Sequence, residues 1–193
     1  IGPGPADITL SWENLYAYNR KIIDPSAKRF FFVQEPFKLA VKGVKKSYVA
    51  CIPLHPDHPD QGHRVLDVKP KNDVAEFLIS SKDKPLFVNG PILRLMELFN
   101  IQVQDETKTG FMSTFHSEAY EDARRLKAPL IHWLPSSAGV ACEVVMPDGS
   151  SIKGLAEGAV RNVSVGRIIQ FERFGFVRVD QKDDRIVVFF THK

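Results

Sequence analysis

The sequence predicts an all-β protein of two barrels behind a short helical lead. Three observations carry this. From Arg29 onward, short runs of Val, Ile, Phe, Thr and Tyr alternate with clusters of Pro, Gly, Asp and Asn, and strands with turn signals every 8–12 residues or so mark barrels and sandwiches. Fourteen such runs are too many for one small sheet; two barrels, each closing its own edges, leave no strand unpaired. Only Ser11 to Lys28 has clear helical spacing, through Trp12, Leu15, Tyr16, Ile22 and Ile23.

Taken in order, Ser11 is the N-cap of that helix and Asp24-Pro25 punctuates it. Its apolar stripe is two-sided enough to need a packing partner. The expected strands are Arg29 to Gln34, Phe37 to Lys42, Tyr48 to Leu54, Arg64 to Val68, Ala75 to Ile79, Leu93 to Leu98, Ile101 to Gln104 and Met112 to Phe115. Ile131 to Leu134, Val140 to Met146, Ser151 to Leu155, Ile168 to Glu172, Phe176 to Asp180 and Ile186 to Phe190 complete them. Pro147-Asp148-Gly149-Ser150 is a hairpin turn, because Asp-Gly tolerates positive φ. Glu172 to Phe176 is a second tight connection. Ser117 to Lys127, acidic then basic, is a short helix or a crossing strand. No fixed-period repeat and no flexible linker is visible.

The chain of 193 residues is 44% hydrophobic and has 14 Phe, enough for a buried core. It has no run of about 18 apolar residues, so no membrane helix is expected. The start, Ile1-Gly2-Pro3-Gly4-Pro5, lacks the basic and apolar regions of a signal peptide and reads as a cut inside a longer protein. Cys51 and Cys142 sit in apolar runs and are expected to be reduced core residues, in keeping with a cytoplasmic address. Net charge is only +3, but between Arg20 and Lys46 eight basic residues face only Asp24 and Glu35. Such a stripe suits phosphates, or is a solvated face.

Cys51, His55, His58 and His63 have metal-like separations. The prolines and glycine between them make an extended loop rather than a zinc knuckle, so no metal is expected. His116-Ser117-Glu118 is no triad, since strand neighbours face opposite ways. No nucleophile elbow, Walker loop or dinucleotide fingerprint is present. Binding is left. Arg29 beside Phe30-Phe31-Phe32, Arg94, and Gln170-Phe171-Glu172-Arg173-Phe174 have the character of groups that read unstacked bases, although each could equally be a surface group on a strand.

Seven segments, in order along the chain, carry a family resemblance. They are Ser11 to Tyr16, Asn19 to Pro25, Arg29 to Val33, His55 to Pro59, Arg94 to Asn100, Ala128 to Trp133, and Gln170-Phe171-Glu172-Arg173. Together they resemble the C-terminal half of the glutamyl/glutaminyl subgroup of class I aminoacyl-tRNA synthetases. The stretches Arg94 to Asn100, Arg173 to Arg178 and Thr191-His192-Lys193 look more like the archaeal glutamyl proteins.

The resemblance implies two six-stranded anticodon-binding barrels and leaves open whether they interleave, the last strands returning to the first barrel. Residues 1–28 would be the tail of a helical connecting region, 29–127 the first barrel region and 128–193 the second. It implies a parent glutamate–tRNA ligase that uses ATP, with Mg, to join glutamate to tRNA. The His-x-Gly-His and Lys-Met-Ser-Lys motifs of that chemistry are missing here, so this chain alone should be inactive and should bind no cofactor. The partner implied is glutamate tRNA; no DNA and no membrane are expected.

The family's contacts to the central anticodon base fall on Arg29, Gln170 and Arg173. At the first base, the Arg-x-Arg pair of the glutaminyl branch is Arg94 and Met96 here. At the third base, its Lys-Arg pair is Pro85 and Leu86, which implies an enzyme that also accepts glutamine tRNA. A glutaminyl synthetase, a freestanding RNA-binding double barrel and a protein-interaction module are the other readings.

Overall fold

The computed structural model describes residues 11–193. Helix α1 (Trp12–Ile23) starts at the expected cap, where the Ser11 hydroxyl accepts from the Asn14 amide at 3.2 Å. It stops short of Lys28, because Pro25 cannot continue the ladder and the chain tightens into a 3-10 turn, Asp24–Ser26. None of its residues is fully buried; Tyr16 stacks on His192 at 5.3 Å, while Trp12, Tyr18 and Ile22 face outward.

The strands follow as β1 (Arg29–Phe30), β2 (Phe32–Gln34), β3 (Phe37–Lys42), β4 (Tyr48–Pro53), β5 (His63–Val68), β6 (Val74–Ile79), β7 (Ile92–Leu95), β8 (Asn100–Thr107) and β9 (Gly110–Ser117). After helix α2 (Tyr120–Arg125) come β10 (Leu130–Ile131), β11 (Leu134–Pro135), β12 (Val140–Val145), β13 (Ser151–Ala156), β14 (Ile168–Phe171), β15 (Gly175–Lys182) and β16 (Ile186–His192). The segment 117–127 is therefore helical at its centre. The strand expected to reach Leu98 stops at Leu95, because Glu97 turns the chain with a φ of 55°.

One sheet runs β1-β14-β15-β16-β12-β13-β2, the other β10-β7-β8-β9-β3-β6-β11. The ends of each order are two halves of one short segment: β1 and β2 belong to 29–34, β10 and β11 to 130–135. Each segment pairs on one side parallel and on the other antiparallel. Each sheet thus closes on itself as a six-stranded barrel, here called A (with 29–34) and B (with 130–135).

The barrels share one plan. Segment, two antiparallel strands, a 3-10 turn and three more strands occur first as 29–34, β3, β6, Ser81–Phe87, β7, β8 and β9. They occur again as 130–135, β12, β13, Gly158–Asn162, β14, β15 and β16. Backbone detail repeats too. Met96 donates to the Ile131 carbonyl as Glu172 donates to that of Phe30, both at 3.0 Å. Leu98 bonds Leu95 as Phe174 bonds Phe171, and Glu97 and Arg173 share a positive φ. The short segments are exchanged, however: 29–34 closes the barrel of the second unit, and 130–135 closes that of the first. The barrels are interleaved, and each draws strands from both sides of residue 127. Gly154 permits one of these joints, since a Cβ there would run into the Val33 carbonyl.

The exchanged segment 29–34 has both faces buried. Phe30 and Phe32 enter the core of A with Val144, Phe171 and Val188; Phe31 and Val33 enter that of B with Leu39, Phe77 and Trp133. Strands β4 and β5 form a separate two-stranded ribbon whose inner face, Ala50, Ile52, Leu66 and Val68, packs on the core of B. Alternation puts Cys51 on the outer, exposed face of this ribbon, so it is not a core residue as the sequence suggested. Cys142 is buried, which pushes its thiol up to about 12. No helix among the described residues is long and apolar enough to cross a membrane.

Candidate nucleic-acid interface

Strand β1 runs parallel to β14 in a register that sets Arg29 directly beside Gln170. The next pair, Phe30 and Phe171, points into the barrel, so Arg29 and Gln170 stand on the outer face. Their backbones are fixed by Arg29 N–H to the Leu54 carbonyl at 2.7 Å and Gln170 N–H to that of Lys28 at 2.9 Å. Their side chains are not fully spent. Arg29 touches Asp24 Oδ1 through Nη2 at 3.4 Å, while Arg29 Nε and Gln170 Oε1 are shielded from solvent and make no hydrogen bond. Such orphaned groups cost about 1–3 kcal/mol each, and here a donor and an acceptor of two register partners are both left without a protein partner.

Arg173 follows on the turn that ends β14. Its guanidinium grips Asp83 with two bonds, Nη2 to Oδ1 at 2.7 Å and Nη1 to Oδ2 at 2.9 Å. Nη1 also lies 3.3 Å from His132 Nδ1. His132 Nε2 is 2.7 Å from the Phe32 carbonyl; a carbonyl only accepts, so Nε2 carries the proton and Nδ1 is the acceptor. These groups wall a cavity of about 230 Å³ with Phe32, Pro85, Leu86 and Phe174. Pro85 and Leu86, which the family resemblance placed at the third-base position, thus lie beside Arg173.

Burial and then the Arg173 charge push the His132 imidazole down to about 4, against weaker upward pulls from Asp83 and from the bond to Phe32. A depressed histidine contributes stability that is complete above its ordinary value of 6.5 and is lost as pH falls toward 4. The expected contribution is about 3 kcal/mol. Urea midpoints measured from about pH 7 down to about pH 4.5 should fall less steeply in His132→Gln than in the parent chain. Parallel profiles would mean that His132 takes up its proton as readily in the folded state as in the unfolded chain.

Arg94 stands apart, at the matching position of barrel B, where it pairs in register with Leu130. It is buried and occupied: Nη1 donates to Asn100 Oδ1 at 3.0 Å and to the Glu118 carbonyl at 3.2 Å, and the guanidinium lies over the Tyr120 ring at 5.3 Å. Of the four residues singled out in the sequence, the structure brings together Arg29 and Gln170, carries Arg173 on the same strand end, and leaves Arg94 in the other barrel. Asp83 and His132 were not foreseen as site residues. Asp83 is one acid within the 3-10 turn Ser81–Phe87, and His132 is one letter of the Ala128 to Trp133 segment.

The basic stretch is partly a solvated face: Lys38 and Lys42 point outward from β3, and Lys46 pairs with Glu118 at 2.7 Å. Bonds from Lys46 and Tyr48 hold the exposed Glu118 carboxyl below its ordinary range. In the 55–63 loop, His55 is buried and its Nδ1 accepts from the Asp57 amide at 3.1 Å. Among the described residues, no three or more His, Cys, Asp or Glu side chains are grouped to hold a metal ion.

Comparison with known proteins bears on both halves. Residues 27–118 match a family model described as the anticodon-binding domain of class I tRNA synthetases (E and Q), and residues 130–180 match a second model of the same description. A glutamate–tRNA ligase of Thermococcus onnurineus is 42% identical over all of this chain, as is one of Methanocaldococcus jannaschii; one of Methanopyrus kandleri is 42% identical over 94% of it. The chain spans about a third of the length of these relatives, 32–33%. With both family models matched in chain order and relatives aligned over the whole of this chain, the chain belongs to the class I glutamyl/glutaminyl tRNA synthetases, as their anticodon-binding region.

Proposed function

We propose that this chain reads the anticodon of glutamate tRNA for a glutamate–tRNA ligase, through Arg29, Gln170 and Arg173. The observation that carries this is the Arg29–Gln170 pair, with an idle donor and an idle acceptor in one register position. With Arg173 they offer donor, acceptor and donor. Uracil, the central anticodon base of glutamate and glutamine tRNAs, presents carbonyl, N–H and carbonyl on its pairing edge. Adenine, cytosine and guanine present other orders.

In the longer enzyme, ATP and glutamate would give a glutamyl-adenylate and pyrophosphate, and the tRNA 3′ end would take the glutamyl group and release AMP. We assign that step, with its ATP and magnesium, to the part of the enzyme outside this chain, because neither signature motif occurs here. The setting would be the cytoplasm. Pro85 and Leu86 offer no side-chain hydrogen bond at the third-base position, which favours an enzyme that also charges glutamine tRNA. The glutamate–tRNA ligases among the relatives favour the glutamyl over the glutaminyl reading.

The test is binding to glutamate tRNA with the central U intact or changed to A. Arg173→Ala should cost about 1–3 kcal/mol with U, by analogy with bidentate base contacts elsewhere, and far less with A. Affinity should also drop steeply with salt. Equal losses on both RNAs would reduce Arg173 to a phosphate contact, and a preference of about tenfold or more for the glutamate over the glutamine anticodon would argue against dual acceptance.

A further inference from the structure

Arginine has five N–H donors in a fixed plane. In Arg173, three of them are taken. Nη1, the nitrogen on the Cδ side, gives one hydrogen to Asp83 Oδ2 and the other to His132 Nδ1. Nη2 gives one to Asp83 Oδ1. What remains is the second Nη2–H and the Nε–H, which are parallel and share one edge of the guanidinium. The side chain is 36% exposed and lines the 230 Å³ cavity, whereas Asp83 and His132 are buried. Both holders come from barrel B: Asp83 from the 3-10 turn after β6, His132 from the exchanged segment between β10 and β11. The arginine they hold belongs to barrel A.

We propose that Asp83 and His132 are positioning residues that consume three of the five donors of Arg173 and present the remaining two as a single fork for a base carbonyl. This rests on the assignment of Arg173 as a reader of the central base. The fork is aimed by the neighbouring barrel, so the reading edge is a joint product of the two. His132 suits the task because it is neutral: a protonated ring would offer Arg173 a donor and a charge where the fork needs an acceptor. The backbone adds to the fixity, since Arg173 has a φ of 62° in a turn pinned by Phe174 N–H to the Phe171 carbonyl at 3.0 Å. The matching turn of barrel B has the same shape but carries Glu97, which has no donors to give.

The experiment measures Kd of the chain for an anticodon stem-loop with U or A at the centre. It compares the parent with Arg173→Ala, Asp83→Asn, His132→Gln and His132→Leu, each checked for folding by its melting curve. Asp83→Asn should lower affinity for the U loop by about tenfold and leave the A loop nearly unchanged. His132→Gln should keep most of the U preference, because an amide can donate to the Phe32 carbonyl and accept from Nη1; His132→Leu should lose it.

Simple electrostatics predicts the opposite for Asp83→Asn: removal of a negative charge should tighten binding of both RNAs. That result, or an intact U preference in Asp83→Asn and His132→Leu while Arg173→Ala abolishes it, would overturn the positioning role alone. A parent chain without U preference, or an Arg173→Ala chain that retains it, would overturn the base-reading assignment and this proposal with it.

Discussion

Replacing Arg64 by alanine should cost about 3–5 kcal/mol of folding stability. Arg64 sits on β5 of the ribbon and is 4% exposed. Its Nε donates to Glu157 Oε1 at 2.8 Å, Nη2 to Glu172 Oε1 at 2.6 Å and Nη1 to the Pro53 carbonyl at 2.7 Å; its plane lies over the Phe31 ring at 4.9 Å. One side chain thus ties the ribbon to barrel A. Glu157 is 1% exposed and also takes the Phe31 amide at 2.7 Å. Without Arg64 it would be a buried anion with no countercharge.

Even with Arg64 present, burial wins over that attraction and raises the Glu157 carboxyl above its ordinary value. A raised carboxyl favours the folded state below its unfolded value, and that advantage is lost as pH rises through the folded value. Removing Arg64 raises it further, so the deficit should be larger at about pH 8 than at about pH 5. Glu157→Gln added to Arg64→Ala should restore part of the loss. Urea unfolding at both pH values reads all three outcomes. A deficit under about 1 kcal/mol, or one independent of pH, would mean that the network is solvated.

Trp133→Ala should be about as damaging, at about 3–5 kcal/mol. Trp133 has no exposed surface, meets Phe77 edge-on at 5.2 Å and Phe31 at 6.5 Å, and donates its indole N–H to the Met96 carbonyl at 2.9 Å. It stands between β10 and β11, in the segment that closes barrel B. The alanine variant loses ring contacts, opens a cavity and orphans that carbonyl. Trp133→Phe keeps most of the packing and should lose clearly less, since only the bond to Met96 and part of the volume disappear. Denaturant midpoints of the two variants give the comparison. Near-equal losses would place the energy in the hydrogen bond rather than in packing.

Much of this fold is written in local patterns. Strand β3 alternates Phe37, Leu39 and Val41 inward with Lys38 and Lys42 outward, the period-two signal of a half-buried strand. Ser11 marks its boundary by a capping hydrogen bond and Pro25 and Pro147 to Ser150 mark theirs by backbone restriction, and the Asp148 carboxylate does accept from the Ser150 amide at 2.9 Å. The segment 29–34 is harder. Its run of apolar residues shows no alternation because both faces are buried, each in a different barrel, a distinction that only topology supplies.

The duplication is hidden for a related reason. Equivalent backbone positions hold Arg94 and Gln170, or Glu97 and Arg173, so the shape repeats while the chemistry does not. Residue type and resemblance pointed to Arg29, Gln170 and Arg173. That the first two are neighbours depends on a parallel register between strands about 140 residues apart, and that Asp83 and His132 grip the third depends on how the barrels meet. Cys51 departs from expectation because an apolar run reads as buried on both sides, whereas the ribbon buries only one.

The exchange of closing segments has a consequence for how the protein is made. As the chain leaves the ribosome, β3, β6, β7, β8 and β9 can pair as they emerge, but their sheet stays open between β6 and β7 until residues 130–135 are synthesised. Residues 29–34 emerge before these strands yet must wait for β13 and β14, which are translated only after barrel B's strands. A chain stopped after β9 would carry two naked edges and the stranded aromatic run Phe30-Phe31-Phe32, the kind of surface on which nascent chains aggregate. A nonsense codon before residue 130 leaves both barrels open, and one between residue 135 and β14 leaves barrel A without at least one of the strands that hold residues 29–34.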